Sequence, residues 1–342
     1  MPSIVVIGAS AGGVSGLIEV ARQLPADLPA AVLVTVHVGQ GPSRMPQVLS
    51  RVGPLPAAHA SDGEPILPGR IYIAPPDYHL LVRNGHLELS HGPRENHTRQ
   101  AIDPLFRSAA RAYGPRVIGV ILSGALSDGA AGLMAVVDRG GTAIVQDPAE
   151  AFMPGMPASA LQAIKTELVL PLGDIARAIE RLTRQSESEQ ARGRPVMADD
   201  FERTKALIQD DMDGQEHGQR VGELTMFTCP DCGGSLWQSA SQELLSFECH
   251  VGHTFSWEAL VGQKSEQVET ALWASVRLLV ERAVLNRQLA ARSRSSHGEA
   301  VAERFEEQAE RDQVHADTLR ELLERLPAPA AAAGVPSGER VD

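Results

Sequence analysis

Through the first 185 residues, short apolar runs rich in β-branched side chains alternate with stretches whose apolar residues recur every three to four positions. The runs are IVVIG (4–8), AAVLVTVH (30–37), RIYIAP (70–75), RVIGVILSG (116–124), GTAIVQ (141–146) and LVLPL (168–172). Near-continuous apolarity predicts strands covered on both faces, as in a mostly parallel sheet. Helical periodicity falls between them, at 13–23, 43–51, 103–113, 129–139, 157–164 and 173–184. The alternation predicts a doubly wound, mostly parallel, Rossmann-like α/β domain, in which functional side chains gather at the carboxyl ends of the strands. HLLVRNGHLELS (79–90) departs from that rhythm: two alternating runs flank Asn84-Gly85, a pair suited to the positive φ angles of a tight turn, so a small inserted hairpin is expected.

Beyond residue 185 the pattern changes. Residues 186–223 are polar and acidic with few apolar anchors and read as a linker. Residues 224–257 hold three cysteines between short β-like pieces. Apolar residues at helical spacing return over 258–292 and 298–326, interrupted by RSRSSHG, and predict a helical hairpin. Leu272, Trp273, Val276, Leu279, Val280, Ala283 and Leu289 form one apolar face. Its expected use is packing on Val301, Phe305, Leu319, Leu322 and Leu323, with partner docking or dimerisation as the alternative. The Ala/Pro/Gly-rich tail, 327–342, reads as disordered.

Composition narrows the classes. A hydrophobic share of 43% and a charged share of 22% are those of a globular chain, which excludes wholesale disorder. No run of about 18 apolar residues and no signal-like start occur, so membrane insertion is not expected and the protein reads as cytoplasmic. Residues 1–185 carry 15 basic and 15 acidic side chains, so the whole net charge of −12 lies in 186–342. Neither half shows the clustered Lys and Arg of a nucleic-acid binder.

The first chemical candidate is Gly8-Ala9-Ser10-Ala11-Gly12-Gly13, directly after IVVI and before a helix. Small neighbours allow the sharp turn of a nucleophile elbow. Ser10 is thereby held out beside amides, Ala11 among them, that can stabilise an oxyanion. A Gly-rich phosphate or dinucleotide loop occupies the same place. That alternative expects an acidic residue at the end of the second strand, whereas VLVTV ends in His37-Val38-Gly39. Adjacent strands bring His37 near Ser10, and imidazole suits a general base. Asp128, in Ser123-Gly124-Ala125-Leu126-Ser127-Asp128 after VIGVIL, is placed to orient that imidazole. It equally suits a cap for the helix beginning AAGLMAVV. The order Ser, His, Asp is not that of α/β-hydrolases. Arg94, Glu95, Asn96, His97 and Arg99 form a polar run that reads as a solvated loop, though its position borders the cleft.

GASAGG, TVHVGQGPSRMPQVLSR, DGEPILPGRIYIAPPDYHLLV, SGALSDGAAGL and VQDPAEAFMPGMPASAL, in that order over about residues 3–180, together resemble the catalytic domain of CheB-type chemotaxis protein-glutamate methylesterases. The resemblance implies a serine hydrolase that demethylates glutamate methyl esters on methyl-accepting chemotaxis receptors and releases methanol, some members also deamidating receptor glutamine. It implies Ser10, His37 and Asp128 as the catalytic residues and no cofactor for catalysis. Where the family often reads T-G-M-G, this chain has Ser123-Gly124-Ala125-Leu126, which leaves the Ala125 amide as the oxyanion candidate. Better-known members carry an N-terminal phosphoacceptor domain. This chain starts at the catalytic strand, so a stand-alone form without that control in cis is expected. A catalytically weak chemosensory adaptor, whose acidic C-terminal region binds a receptor, kinase or methyltransferase, is the alternative.

Cys229-Pro-Asp-Cys232, sixteen residues, then Cys249-x3-His253 fits a zinc-ribbon-like module. Each short turn directs two ligands at one ion, and thiolates select zinc. His253 is preferred to His250, because adjacent residues reach one ion poorly. Four protein ligands leave no open position, so the expected zinc is structural. The competing reading is three reduced thiols and a surface His. The segment also resembles C-terminal extensions of some stand-alone CheB-like domains, which supplies no function.

Overall fold

A computed structural model of the chain describes residues 3–37, 43–191, 222–241, 244–296 and 299–325. Val38 and Gly39, most of the expected linker and the expected tail lie outside the described residues. The described residues fall into two compact units, the first ending at Leu260 and the second beginning at Val261.

The first unit opens with β1 (Ser3–Ala9), α1 (Gly13–Gln23), β2 (Ala30–Val36), α2 (Met45–Val52), β3 (Ala57–His59) and β4 (Ile71–Ile73). The inserted hairpin, β5 (His79–Arg83) and β6 (His86–Ser90), turns on Asn84 and Gly85, whose φ angles are 51° and 80°. Then follow α3 (Ile102–Tyr113), β7 (Val117–Ile121), α4 (Ala130–Asp138), β8 (Thr142–Gln146), α5 (Gly155–Ala163), β9 (Val169–Leu170) and α6 (Leu172–Ala191). The main sheet has seven strands in the order β3-β4-β2-β1-β7-β8-β9, and every pairing in it is parallel.

Alternation along β1 explains why both faces are covered. Ile4 and Val6 join the core beneath α3, α4 and α5, while Val5, Ile7 and Ala9 join the core beneath α1, α2 and α6. All seven residues of β1 and of β2 are buried. The chain leaves β1 on one side to build β2, β4 and β3, then crosses to β7, so the carboxyl ends of β1, β2 and β7 meet at the switch point where such folds bind ligands. Gly8 sits here because a Cβ would lie 2.4 Å from Ile102 Cγ2. Its absence lets the start of α3 approach the strand.

Strand β3 was not expected: three half-buried residues carry no usable period. Helix α6 runs to Ala191 and so occupies the start of the segment expected to be linker. After the undescribed stretch comes an antiparallel sheet, β10 (Glu223–Thr228), β11 (Ser235–Ser241), β12 (Leu244–Cys249) and β13 (Thr254–Ser256), in that spatial order. Leu236, Phe247, Phe255 and Leu260 form its small core with Cys229 and Cys249.

Helices α7 (Trp257–Ser296) and α8 (Glu299–Arg325) supply the second unit. The expected break at 292–298 is corrected: the first helix continues to Ser296, and Arg294 there pairs with Glu299 and Glu306. The expected packing face is corrected as well. Val276, Ala283, Ala290, Ala302, Ala309 and Ala316 are buried, while Trp273, Leu289 and Leu322 stand exposed. Arg282 and Asn286 bind the buried Asp312 across the hairpin.

Candidate active site

Ser10 follows β1 directly. Its N–H donates to Ser123 O at 3.0 Å, and its carbonyl accepts from Gly13 N at 2.8 Å, so the turn is clamped on both sides. Gly12, with φ 74°, occupies the left-handed conformation that ends the turn and caps α1. The parallel register pairs Ala9 with Val36, and His37 N donates to Ala9 O at 3.1 Å, so the next residue on each strand is a neighbour by construction. His37 Nδ1 lies 3.1 Å from Ser10 Oγ, and its Nε2 lies 2.8 Å from Asp128 Oδ2. A carboxylate only accepts, which puts the ring proton on Nε2 and leaves Nδ1 free to accept from the serine hydroxyl. The structure thus brings the three side chains into one relay. Ser10 and His37 are partly open to solvent, and Asp128 is buried.

Asp128 does not cap its own helix, as its position suggested. Gly129 precedes α4 with φ 95° and no side-chain cap, and the carboxylate turns to α3. Its Oδ2 accepts from Ile102 N at 2.7 Å and its Oδ1 from Asp103 N at 3.2 Å. Asp103 in turn accepts from Gly132 N, in the first turn of α4, at 2.6 Å. The two helices exchange caps, and the positive ends of both dipoles face the carboxylate pair. Burial pushes the Asp103 carboxyl well up, with the Asp128 charge adding to it. Burial would also raise Asp128, but the His37 hydrogen bond and charge, with the Ile102 amide and Asn96, outweigh it and hold that carboxyl below its usual range.

Several contributors escaped the sequence reading. Asn96, from the run read as solvated loop, donates from Nδ2 to both Asp128 Oδ1 and Asp103 Oδ2 at 3.1 Å. Ser123 ties three loops together: its N–H donates to Gln146 Oε1 and its hydroxyl to Ala11 O, while Met153 N donates to that hydroxyl. Gly124 is required beneath Ser10, since a Cβ would lie 2.0 Å from Met156 Sδ and 2.9 Å from Ser10 Cβ. Leu126, with φ 61°, takes a left-handed conformation costly for a leucine. Only the glycine-flanked turns carried a visible signal.

The amides of Ser10, Gly13 and Gly124 are committed to carbonyls. Those of Ala11 and Ala125, the two oxyanion candidates, have no partner among the described residues. Phe152, an exposed aromatic, lies against Gly12 of the Ser10 turn.

Cys229, Cys232, Cys249 and His253 place their ligand atoms within 4.8 Å of one another. Cys232 and Cys249 sulfurs are 3.6 Å apart, and His253 Nδ1 lies 3.6 Å from Cys229 Sγ and 3.4 Å from Cys249 Sγ. Zinc with bonds of about 2.3 Å to sulfur and about 2.0 Å to nitrogen demands tetrahedral edges of about 3.8 Å between sulfurs and about 3.5 Å between sulfur and nitrogen. These three separations are close to such edges, and the four atoms together lie within 4.8 Å of one another, so the set could hold one metal ion. His250 is exposed and outside it.

A family model described as CheB methylesterase matches residues 5–179, ending before the cysteine-bearing sheet. A protein-glutamate methylesterase/protein-glutamine glutaminase 2 of Anaeromyxobacter dehalogenans is 40% identical over 182 residues, which cover 53% of this chain and 53% of that protein. A putative protein of the same description from Leptospira interrogans is 38% identical over 180 residues, 52% of this chain and 93% of that protein. The crystal structure of the Thermotoga maritima CheB methylesterase catalytic domain superposes with a TM-score of 0.51 at 34% identity, over 53% of this chain and 99% of that one. The chain spans about half the length of several of the curated relatives it matches. Among the described residues no helix is long and apolar enough to cross a membrane.

Proposed function

The chain belongs to the CheB methylesterase family, and we propose that it hydrolyses glutamate methyl esters on methyl-accepting chemotaxis receptors with Ser10 as nucleophile. The single observation that carries this reading is the continuous contact from Ser10 Oγ through the His37 ring to Asp128. His37 Nδ1 takes the Ser10 proton as Oγ attacks the side-chain carbonyl. The amides of Ala11 and Ala125, without partners among the described residues, receive the oxyanion. His37 then protonates the departing methoxide, methanol leaves, and a glutamyl ester on Ser10 remains. Water, deprotonated by His37, releases glutamate and restores the serine. The same steps with ammonia as leaving group deamidate glutamine, the second activity in the relatives' description. Asp128 keeps the proton on Nε2 and stabilises the imidazolium.

Cys229, Cys232, Cys249 and His253 are proposed to hold a structural zinc. It would lock two ribbon turns together, and four protein ligands leave it no position for substrate. The three clustered cysteines and the receptor substrate fit a cytoplasmic location. An adaptor that has lost catalysis would not need these contacts intact, so the geometry favours the esterase.

The test is methanol release from methylated receptor membranes by the full chain. Ser10→Ala is expected to abolish it while leaving the fold intact. Unchanged release by that variant would overturn the mechanism.

A further inference from the structure

The loop 94–97 is bound on two sides. On the α/β side, both carboxylate oxygens of Glu95 accept from Arg107 Nη2 of α3 at 2.7 Å. On the ribbon side the loop pairs with β13 as a short added strand: Asn96 N donates to Thr254 O at 2.8 Å and Thr254 N to Arg94 O at 3.1 Å. His97 Nδ1 meets Asp231, between the first two cysteines, at 2.8 Å. Gly252, inside the Cys249–His253 turn, faces Pro93 so closely that a Cβ would lie 3.0 Å from its Cγ. Both metal-binding turns therefore grip one loop.

The consequence falls on the carboxamide of Asn96. Its Oδ1 accepts from Ser256 N, at the end of β13, at 3.0 Å. A backbone N–H facing one end of the amide dictates that this end is oxygen. The NH2 group must then face the two buried carboxylates, giving one hydrogen to Asp128 and one to Asp103. Asn96 and His97 hold left-handed φ angles of 47° and 68° to reach this arrangement. Ser127, next to Asp128, is tied to the same segment through Ser256 Oγ at 2.7 Å and Glu258 at 3.1 Å.

We infer that the ribbon is a cis-acting part of the esterase site: it orients Asn96, and Asn96 is a positioning residue that fixes the Asp128 carboxylate for His37. The inference rests on the esterase reading. It assigns to the C-terminal segment a role in the chemistry that its place outside the matched family region does not suggest.

The test uses the full chain with Asn96→Ala, Asn96→Asp and Asp231→Ala, read by kcat and KM for methanol release and by the downfield proton resonance of the His37–Asp128 hydrogen bond. A hydrogen bond to a charged group corresponds to a loss of about 10- to 100-fold in kcat for Asn96→Ala, with KM nearly unchanged and the resonance shifted. Asn96→Asp keeps the shape but turns an acceptor toward two carboxylates, so it falls below Asn96→Ala. A space-filling role predicts the opposite order. Asp231→Ala lowers kcat in the native background and has a smaller effect on top of Asn96→Ala, because both act through one group. An Asp variant matching the wild type, an unmoved resonance in Asn96→Ala, or additive Asp231 and Asn96 effects would overturn the inference. A wild-type chain that neither releases methanol nor is labelled at Ser10 by a serine-directed phosphonate would instead overturn the esterase reading.

Discussion

Replacing Asp128 by Asn tests the relay most sharply, because every group around that carboxylate is a donor. Oδ2 accepts from His37 and Ile102 N, and Oδ1 from Asn96 and Asp103 N. An amide has one oxygen to offer, and the site is buried, so water does not make good the loss. With the oxygen toward His37, the new NH2 opposes both Asn96 and Asp103 N, leaving two frustrated donors. With the NH2 toward His37, the imidazole switches tautomer and accepts through Nε2, and only Ile102 N is left opposed. Each frustrated buried donor costs about 1–3 kcal/mol. The second arrangement therefore wins by about one such term, and its Nδ1–H points at Ser10, which then has no base.

The expected result is a kcat/KM lower by at least about 100-fold and approaching the roughly 10⁴-fold seen when a triad tautomer is reversed. A stability loss of about 1–3 kcal/mol from the Ile102 amide accompanies it. Methanol release and the rate of phosphonate labelling at Ser10 measure the first effect, and urea unfolding measures the second. Activity within tenfold of wild type in a folded Asp128→Asn protein would refute the reasoning.

Three further outcomes follow from particular residues. Leu126→Gly relieves a left-handed leucine, whose conformation costs about 1–2 kcal/mol against roughly 0.5–1 kcal/mol of extra glycine entropy. A urea midpoint at or above wild type is expected, and a loss of more than 1 kcal/mol would show that the side chain holds the loop. His79 donates through Nε2 to Pro93 O at 2.9 Å, its buried Nδ1 has no partner among the described residues, and burial holds its pKa below the ordinary histidine value. The unfolded chain therefore takes up the proton first, so stability present at neutral pH declines as pH falls below about 6.5. That slope should flatten in His79→Gln, and an identical acid profile would assign the decline elsewhere. Treatment with a metal chelator, or Cys249→Ser, should expose the amides of 223–256 to hydrogen exchange while those of β1, β2 and β7 stay protected. Protection unchanged in the ribbon would mean that the cluster needs no metal.

The sequence disclosed Ser10, His37 and Asp128 because each follows an apolar strand, and parallel pairing makes the ends of β1, β2 and β7 neighbours whatever the loops do. The cysteine spacing was legible for a similar reason: two short turns fix ligand pairs without help from distant residues. Asn96 had no such signal. It sits in a segment without periodicity, and its orientation is decided by an amide 160 positions further along the chain. The local capping rule failed at Asp128 because it assigns a carboxylate to the helix it precedes. Gly129, at φ 95°, turns the backbone so that the carboxylate meets α3 instead. Helix α7 was cut short for want of long-range information, since Arg294 finds its acidic partners only once the hairpin has closed.

These misses share a cause with consequences for the chemistry. A catalytic carboxylate committed to capping its own helix would have its lone pairs directed along that helix, away from His37. Exchange of caps between α3 and α4 turns Asp128 into the space between the two helices, where His37 and Asn96 reach it from different elements. It also brings Asp103 close enough that two buried carboxylates must be separated by a donor to both. The NH2 of Asn96 is that donor, and the ribbon amide of Ser256 holds the opposite end of the carboxamide, its oxygen, so that the NH2 faces the two acids. A variant of the α/β unit that kept Ser10, His37 and Asp128 but lacked residues 222–260 would therefore retain the three named residues, and Asn96 with them, while losing the Ser256 amide that orients the Asn96 carboxamide toward the third.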